Sequence, residues 1–194
     1  MNRNIEIKAR IVDWNATLNI IRKLADTGPK ILVQEDVFFN TATGRLKLRT
    51  INDATSELIY YHRPDAGGPK GCNYLRVDVV DPAGMRELLR AVSQERGVVR
   101  KHRTLYLVKN TRIHLDQVEG LGNFLELEVV LSPEQSDTAG VETANHLIAL
   151  LGILPSSLIE CAYIDLLDQE NSGQKLQPEL FTAEDAEVRK GQCK

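Results

Sequence analysis

The chain has 194 residues, of which 42% are apolar and 26% charged, and its formal net charge is -3. That length suffices for one domain with a substantial core and a short tail. The weak negative charge removes any global electrostatic argument for nucleic-acid binding. Three cysteines, Cys72, Cys161 and Cys193, are odd in number, widely spaced and free of any CxxC pair. They argue against a disulfide framework or a zinc site and fit a reducing cytoplasm. No run of about 18 apolar residues occurs, so no membrane span is expected. Met1 to Ile11 also lacks the apolar stretch of a signal peptide.

Asn4–Ile11 alternates polar and apolar residues and predicts a strand. Asp13 then reads as the N-cap of a helix through Leu24, stopped by Gly28-Pro29. Strands are expected near Val33–Asn40, Arg45–Ile51, Glu57–Arg63, Tyr74–Val80, Val98–Lys109, Arg112–Val118 and Phe124–Leu131, with Thr43-Gly44 and Asn110-Thr111 as hairpin turns. One helix interrupts the set, opened by Asp81-Pro82 and closed by Gly97. Two helical segments follow, Val141–Leu151 and Pro155–Leu167. Residues 1–168 therefore read as one α+β domain with about eight strands. Residues 169–194 read as a polar, partly disordered tail.

The informative feature is what each strand puts on its polar face. Period-2 geometry groups Asn4, Glu6, Lys8 and Arg10; Arg45, Lys47 and Arg49; Tyr61 and Arg63; Arg76 and Asp78; Lys101 and Arg103; Arg112, His114 and Asp116; and Glu126 and Glu128. Any one strand could simply have a wet face and a core face. Across all of them, however, the polar face is dominated by Arg, Lys and Glu rather than Ser or Thr. The helices also need apolar strand residues to pack on. If the apolar faces point outward under helices, the charged faces line the interior of an eight-stranded antiparallel barrel.

Burying such charges is costly unless they are paired or meet a ligand. The basic excess calls for an anion of several charges, and arginine forks suit phosphate. The smaller acidic set suits a hard divalent cation, because Mg²⁺ takes one or two carboxylates and shares phosphate oxygens. A polyphosphate with Mg²⁺ or Mn²⁺ satisfies both sets. A lone His114 on the charged face is weak evidence of ligand contact. Tyr61 reads more simply as packing than as a base-stacking platform.

Asn4-Ile5-Glu6-Ile7-Lys8 resembles the ExExK signature of the CYTH superfamily, the triphosphate tunnel metalloenzymes. Gly44–Arg49, Val99–Arg103 and Ile113–Glu128 extend the resemblance to about Leu167. The last segment is the most specific: a strand ending in Asp, a Gly-rich turn, then an ExE strand. The resemblance implies an eight-stranded tunnel. It also implies class IV adenylate cyclase chemistry, or hydrolysis of thiamine triphosphate, tripolyphosphate or a nucleoside triphosphate. Glu6, Glu126 and Glu128 would hold metal, with Asp116 assisting. Lys8, Lys47, Arg49, Lys101, Arg103 and Arg112 would hold phosphates, with Arg63 and Arg76 at less well-fixed positions. Catalysis would fall to Lys8 and Glu6, with Lys8 favoured as a phosphate ligand over a base. The signature departs at its first position, where Asn4 stands in place of Glu. An amide ligates a metal more weakly, which keeps open a non-catalytic triphosphate-binding module. Expected partners are a small-molecule triphosphate, no general nucleic acid and no membrane; a homodimer through the helices after Pro133 stays open.

Overall fold

The computed structural model describes residues 2–173. Eight strands, β1 (Asn2–Arg10), β2 (Thr27–Phe39), β3 (Arg45–Ile51), β4 (Thr55–His62), β5 (Lys70–Val79), β6 (Glu95–Val108), β7 (Thr111–Val118) and β8 (Gly122–Val130), close into a barrel in the order β1-β5-β4-β3-β2-β6-β7-β8. All pairings are antiparallel. Four helices accompany it: α1 (Trp14–Leu24), α2 (Pro82–Val92), α3 (Asp137–Leu150) and α4 (Tyr163–Asn171). None is long and apolar enough to cross a membrane.

The barrel is inside-out relative to a globular core. Its apolar faces point outward and are covered by helices. Ile21 of α1 and Leu147 of α3 pack on Ile7, Ile113, Leu115, Leu125 and Leu127, all nearly fully buried. Leu89 of α2 packs on Val37, Phe39 and Leu48. The remaining outward face is bare, with Leu75 and Val77 of β5 exposed. Asp13, Asp81 and Ser136 cap α1, α2 and α3 by accepting hydrogen bonds from backbone N–H groups of the first turn.

Several boundaries differ from expectation. Gly28-Pro29 does not stop α1, which is already capped at Ala25; the pair lies within β2, joined by a cis peptide. Gly97 does not end α2, which is capped at Ser93; it lies in β6 opposite Phe38. An added Cβ at Gly97 would meet Ile164 of α4 at 3.0 Å, so the glycine serves close packing. The hairpin joining β6 to β7 turns at Lys109-Asn110, and Lys109 adopts a positive φ of 51°. Pro155–Leu167 is not one helix. A short 3-10 turn at Pro155–Ser157 leads into an extended strip, and α4 begins only at Tyr163. Residues 169–171 continue α4, while residues 174–194 of the expected tail lie outside the described residues.

The strip closes a seam. β1 pairs with β5 only from Asn2↔Tyr74 to Glu6↔Lys70. Beyond that the β1 edge is taken by Leu158, which bridges Ala9, and by the Ile159 N–H, which donates to Lys8 O at 2.8 Å. From there Ala162 and Tyr163 enter one end of the barrel, where Tyr163 and Ile164 pack with Phe38, Val99, Val118 and Phe124. Tyr163 meets Phe124 edge to face at 4.9 Å between ring centroids.

Helix α3 sits unusually close to the barrel. An added Cβ at Gly140 would lie 2.5 Å from Ile5 Cγ1 and 2.8 Å from Leu131 Cδ2. Gly140→Ala should therefore destabilise the fold by about 1–3 kcal/mol, more than the roughly 1 kcal/mol of helix propensity it gains. The urea midpoint should fall with an unchanged m-value.

Candidate functional site

The charged faces meet inside the barrel. Eight basic side chains (Lys8, Lys47, Arg49, Arg63, Arg76, Lys101, Arg103 and Arg112) and five carboxylates (Glu6, Asp36, Glu57, Glu126 and Glu128) line one cavity. Every strand-borne phosphate ligand expected from sequence is in that set. One end is filled by Tyr163 and its apolar neighbours. Toward the other, Arg76 and Arg112 keep side-chain exposures of 52% and 37%, so the cavity is a cup with one wet mouth.

The interior ions form three groups. Asp36, on β2, is 1% exposed and anchors the first. Arg49 donates to it through Nε at 2.6 Å and Nη2 at 2.7 Å, Lys47 at 3.1 Å and Lys101 at 3.2 Å. Burial opposes the charge on Asp36, but Arg49, Lys101 and Lys47 together hold its carboxyl well below the usual range. Burial is also the main reason Lys101 falls to about 7; Asp36 opposes that shift, while Arg103 and Arg49 add to it.

Asp116 anchors the second group. Arg103 donates to both its oxygens, at 2.7 and 2.6 Å, and Tyr163 Oη donates to Oδ2 at 3.0 Å. Burial works against the carboxylate, but Arg103 pulls Asp116 down to about 2. Asp116 thus holds Arg103 and Tyr163, and its oxygens already carry three hydrogen bonds.

The third group is acidic. Glu126 Oε2 accepts from Lys8 at 2.6 Å and Arg103 at 3.3 Å. Glu128 Oε2 accepts from Arg112 at 3.1 Å. Glu6 faces Glu128 across the β1/β8 ladder and pairs with Arg63 at 2.8 Å. Burial, then repulsion from Glu126, raises the Glu6 pKa. His114, fully enclosed beside them, falls to about 4, mainly through burial and then through Arg103. One ligand atom each from His114, Glu126 and Glu128 lie within 4.8 Å of one another. This donor set fits a divalent cation: two carboxylates and an imidazole crowd together, and Glu6 beside them is pushed toward its neutral form by burial and by Glu126.

Every cation of the expected phosphate set pairs with a carboxylate, and the partners of Arg63 and Arg76 place these two apart from the deep cluster. Arg63 donates to Glu160 O at 2.9 Å as well as pairing with Glu6, so it pins the seam strip beside Lys70, which donates to the carbonyls of Ala66, Ile159 and Glu160. Arg76 sits at the mouth against Glu57 at 3.5 Å. Lys8 Nζ lies 3.8 Å from the Tyr163 ring centroid, a cation–π contact at the floor of the cup.

Asp36, Glu57 and Tyr163 escaped sequence reading. In β2 the alternation is scrambled, because Gln34, Asp36 and Phe38 point inward while Glu35 points out with Val33 and Val37. A carboxylate embedded in Val-Gln-Glu-Asp-Val-Phe-Phe was the available signal. Tyr163 gives no periodic signal, since it reaches Asp116 across 47 positions of chain.

The comparisons with known proteins agree with this architecture. Residues 2–163 match the CYTH domain. The chain belongs to the CYTH family. A Methanocaldococcus jannaschii protein named "Putative adenylate cyclase MJ0240" is 27% identical over 169 residues, covering 84% of this chain and 97% of that protein. The solved structure of the PH1012 protein from Pyrococcus horikoshii matches with a TM-score of 0.75 at 30% identity, covering 84% of this chain and 98% of that one. HpAC1 from Hippeastrum, described with a dominant triphosphatase activity, shares the fold with a TM-score of 0.61 at 20% identity, covering 91% and 99%. Within this CYTH barrel the Asp36 hub is the most densely paired carboxylate.

Asp36→Asn would leave Lys47, Arg49 and Lys101 mutually repelling in a buried site. Stability should fall by about 3–5 kcal/mol in urea denaturation. Added tripolyphosphate should recover more stability in this variant than in wild type.

Proposed function

We propose that this CYTH chain binds a triphosphate with a divalent cation in the cup and cleaves one of its phosphoanhydride bonds. The observation that carries the reading is the imbalance of eight cations over six carboxylates, the five that line the enclosed cavity and Asp116 behind Arg103. A protein interior tolerates such an excess only where a multivalent anion completes it. Lys47, Arg49, Lys101 and Arg103 lie deep, so the anion's distal phosphates sit on them. Arg112 and Arg76, near the mouth, take the substituted end. Lys8 bridges the phosphate cluster and the carboxylates.

Glu6, Glu126 and Glu128 would hold Mg²⁺ or Mn²⁺, and Asp116 acts by fixing Arg103 instead of by direct ligation. The bound cation would neutralise developing charge on the phosphoryl oxygens. The arginines do the same from fixed positions, at no reorganisation cost during reaction. Tyr163 and its apolar neighbours keep bulk water from the floor. Attack on the terminal phosphorus by water gives hydrolysis. Attack on the α-phosphorus by a ribose 3′-hydroxyl gives cyclic nucleotide and pyrophosphate. Both use the same cradle.

Purified protein with ATP, tripolyphosphate or thiamine triphosphate, each with Mg²⁺ or Mn²⁺, should yield product. Cyclic AMP with pyrophosphate identifies the cyclase, and orthophosphate identifies the hydrolase with its substrate. Binding without product from any of them would overturn turnover. Glu126→Gln should abolish metal-dependent product formation while tripolyphosphate is still bound.

The protonation of Lys101 adds a pH dependence. The free site holds Lys101 protonated below about 7, and a bound triphosphate favours that charged form. Its contribution to affinity is therefore full at lower pH and fades as pH rises through about 7. By calorimetry, the ratio of wild-type to Lys101→Met affinity for tripolyphosphate should fall with rising pH. The ionisation of the ligand itself cancels in that ratio.

A further inference from the structure

Of the described buried side chains that lack a hydrogen-bond partner, His114 is the one that also sits within ligand distance of two carboxylates. It projects from β7 into the acidic group and is 3% exposed. Its Nδ1 is buried without a hydrogen-bond partner. The nearest carboxylate oxygen, Glu128 Oε1, lies 3.9 Å away, beyond hydrogen-bond reach. An orphaned buried ring nitrogen forfeits about 1–3 kcal/mol of solvation unless something meets it.

The carboxylates around it are half engaged. Lys8 and Arg103 hold Glu126 by Oε2, and Arg112 holds Glu128 by Oε2. The Oε1 atom of each makes no hydrogen bond among the described residues. Ligand atoms of His114, Glu126 and Glu128 all lie within 4.8 Å of one another, so a small contraction brings them to the roughly 4.4 Å at most that separates two donors on one ion with bonds of about 2.0–2.2 Å.

We propose that His114 is a direct ligand of the divalent cation, and that its imidazole turns the site from a Mg²⁺ site into one selective for Mn²⁺ and later first-row cations. The inference rests on the metal reading above and assigns a residue and a selectivity that the carboxylates alone do not supply. Mg²⁺ is a hard cation that holds oxygen ligands and keeps its waters. An imidazole nitrogen among carboxylates favours first-row transition ions over it. With a buried Asn4 lining the cavity, β1 brings a single carboxylate, Glu6, to this cluster, so a nitrogen donor from β7 adds to a set that is otherwise short of one.

The test is direct metal binding, without turnover. Pulsed electron paramagnetic resonance of Mn²⁺ bound to the wild-type protein should show coupling to ¹⁴N of the imidazole. That coupling should vanish in His114→Phe, which keeps the ring volume and removes the donor. By calorimetry the wild type should prefer Mn²⁺ to Mg²⁺. In the variant, Mn²⁺ affinity should drop by more than the roughly 100-fold that loss of a mere supporting partner can cost, with Mg²⁺ affinity changed less. Mn²⁺ bound to wild type without ¹⁴N coupling would overturn the role of His114 and leave the carboxylate metal site standing. No Mn²⁺ binding at all would overturn both. If His114→Phe fails to fold, the wild-type spectrum and His114→Gln still decide the question.

Discussion

Charge confined in a β-barrel is costly unless it is paired or meets a ligand, and this constraint organises the molecule. Asp36 shows it most clearly. One carboxylate at 1% exposure draws three cations from two neighbouring strands into a single knot. Asp116 does the same for Arg103. These pairs hold the arginine and lysine side chains extended into the cavity before any ligand arrives. An anion entering the cup therefore meets preset donors, instead of having to order long side chains at an entropic cost.

The outward apolar face is the other half of the same solution. Because the interior is ionic, the hydrophobic core has to lie outside the barrel, between strands and helices. α1, α2 and α3 each cover a sector, and their caps at Asp13, Asp81 and Ser136 fix where each starts. α4 departs from this plan. It enters the end of the barrel and brings an apolar cluster that faces inward, around Phe38, Val99 and Phe124. That cluster makes the two ends unequal. A dry floor and a wet mouth give the cavity a direction.

The strand-borne part of the site was legible because β geometry is local and periodic. Arg45, Lys47 and Arg49, or Glu126 and Glu128, point one way wherever the strand goes, so their shared face could be read before the partner strands were known. The alternation also implied the inversion, since helices cannot pack on a face of arginines. β2 resisted the same reading: Asp36 sits among residues whose polarity does not alternate, and its importance comes from three cations on other strands. Arg63 was legible as an inward cation but not as the staple of the 158–160 strip. Its carbonyl partner lies 97 positions away.

By itself, then, the sequence determined the class of fold, the number of strands and the charged lining. Each follows from side-chain period, caps and turns, which depend on neighbours within a few residues. Only the tertiary structure decided which ions pair and which are left over. Closure of the barrel set Asp116 against Arg103 and Tyr163, which fill its oxygens with three hydrogen bonds. It set His114, an unremarkable residue in the chain, with an unpartnered nitrogen among glutamates. It also brought α4 into one end, choosing the floor of the cup. These outcomes depend on strand register and on helix docking across long sequence separations, and no local pattern in the chain encodes them.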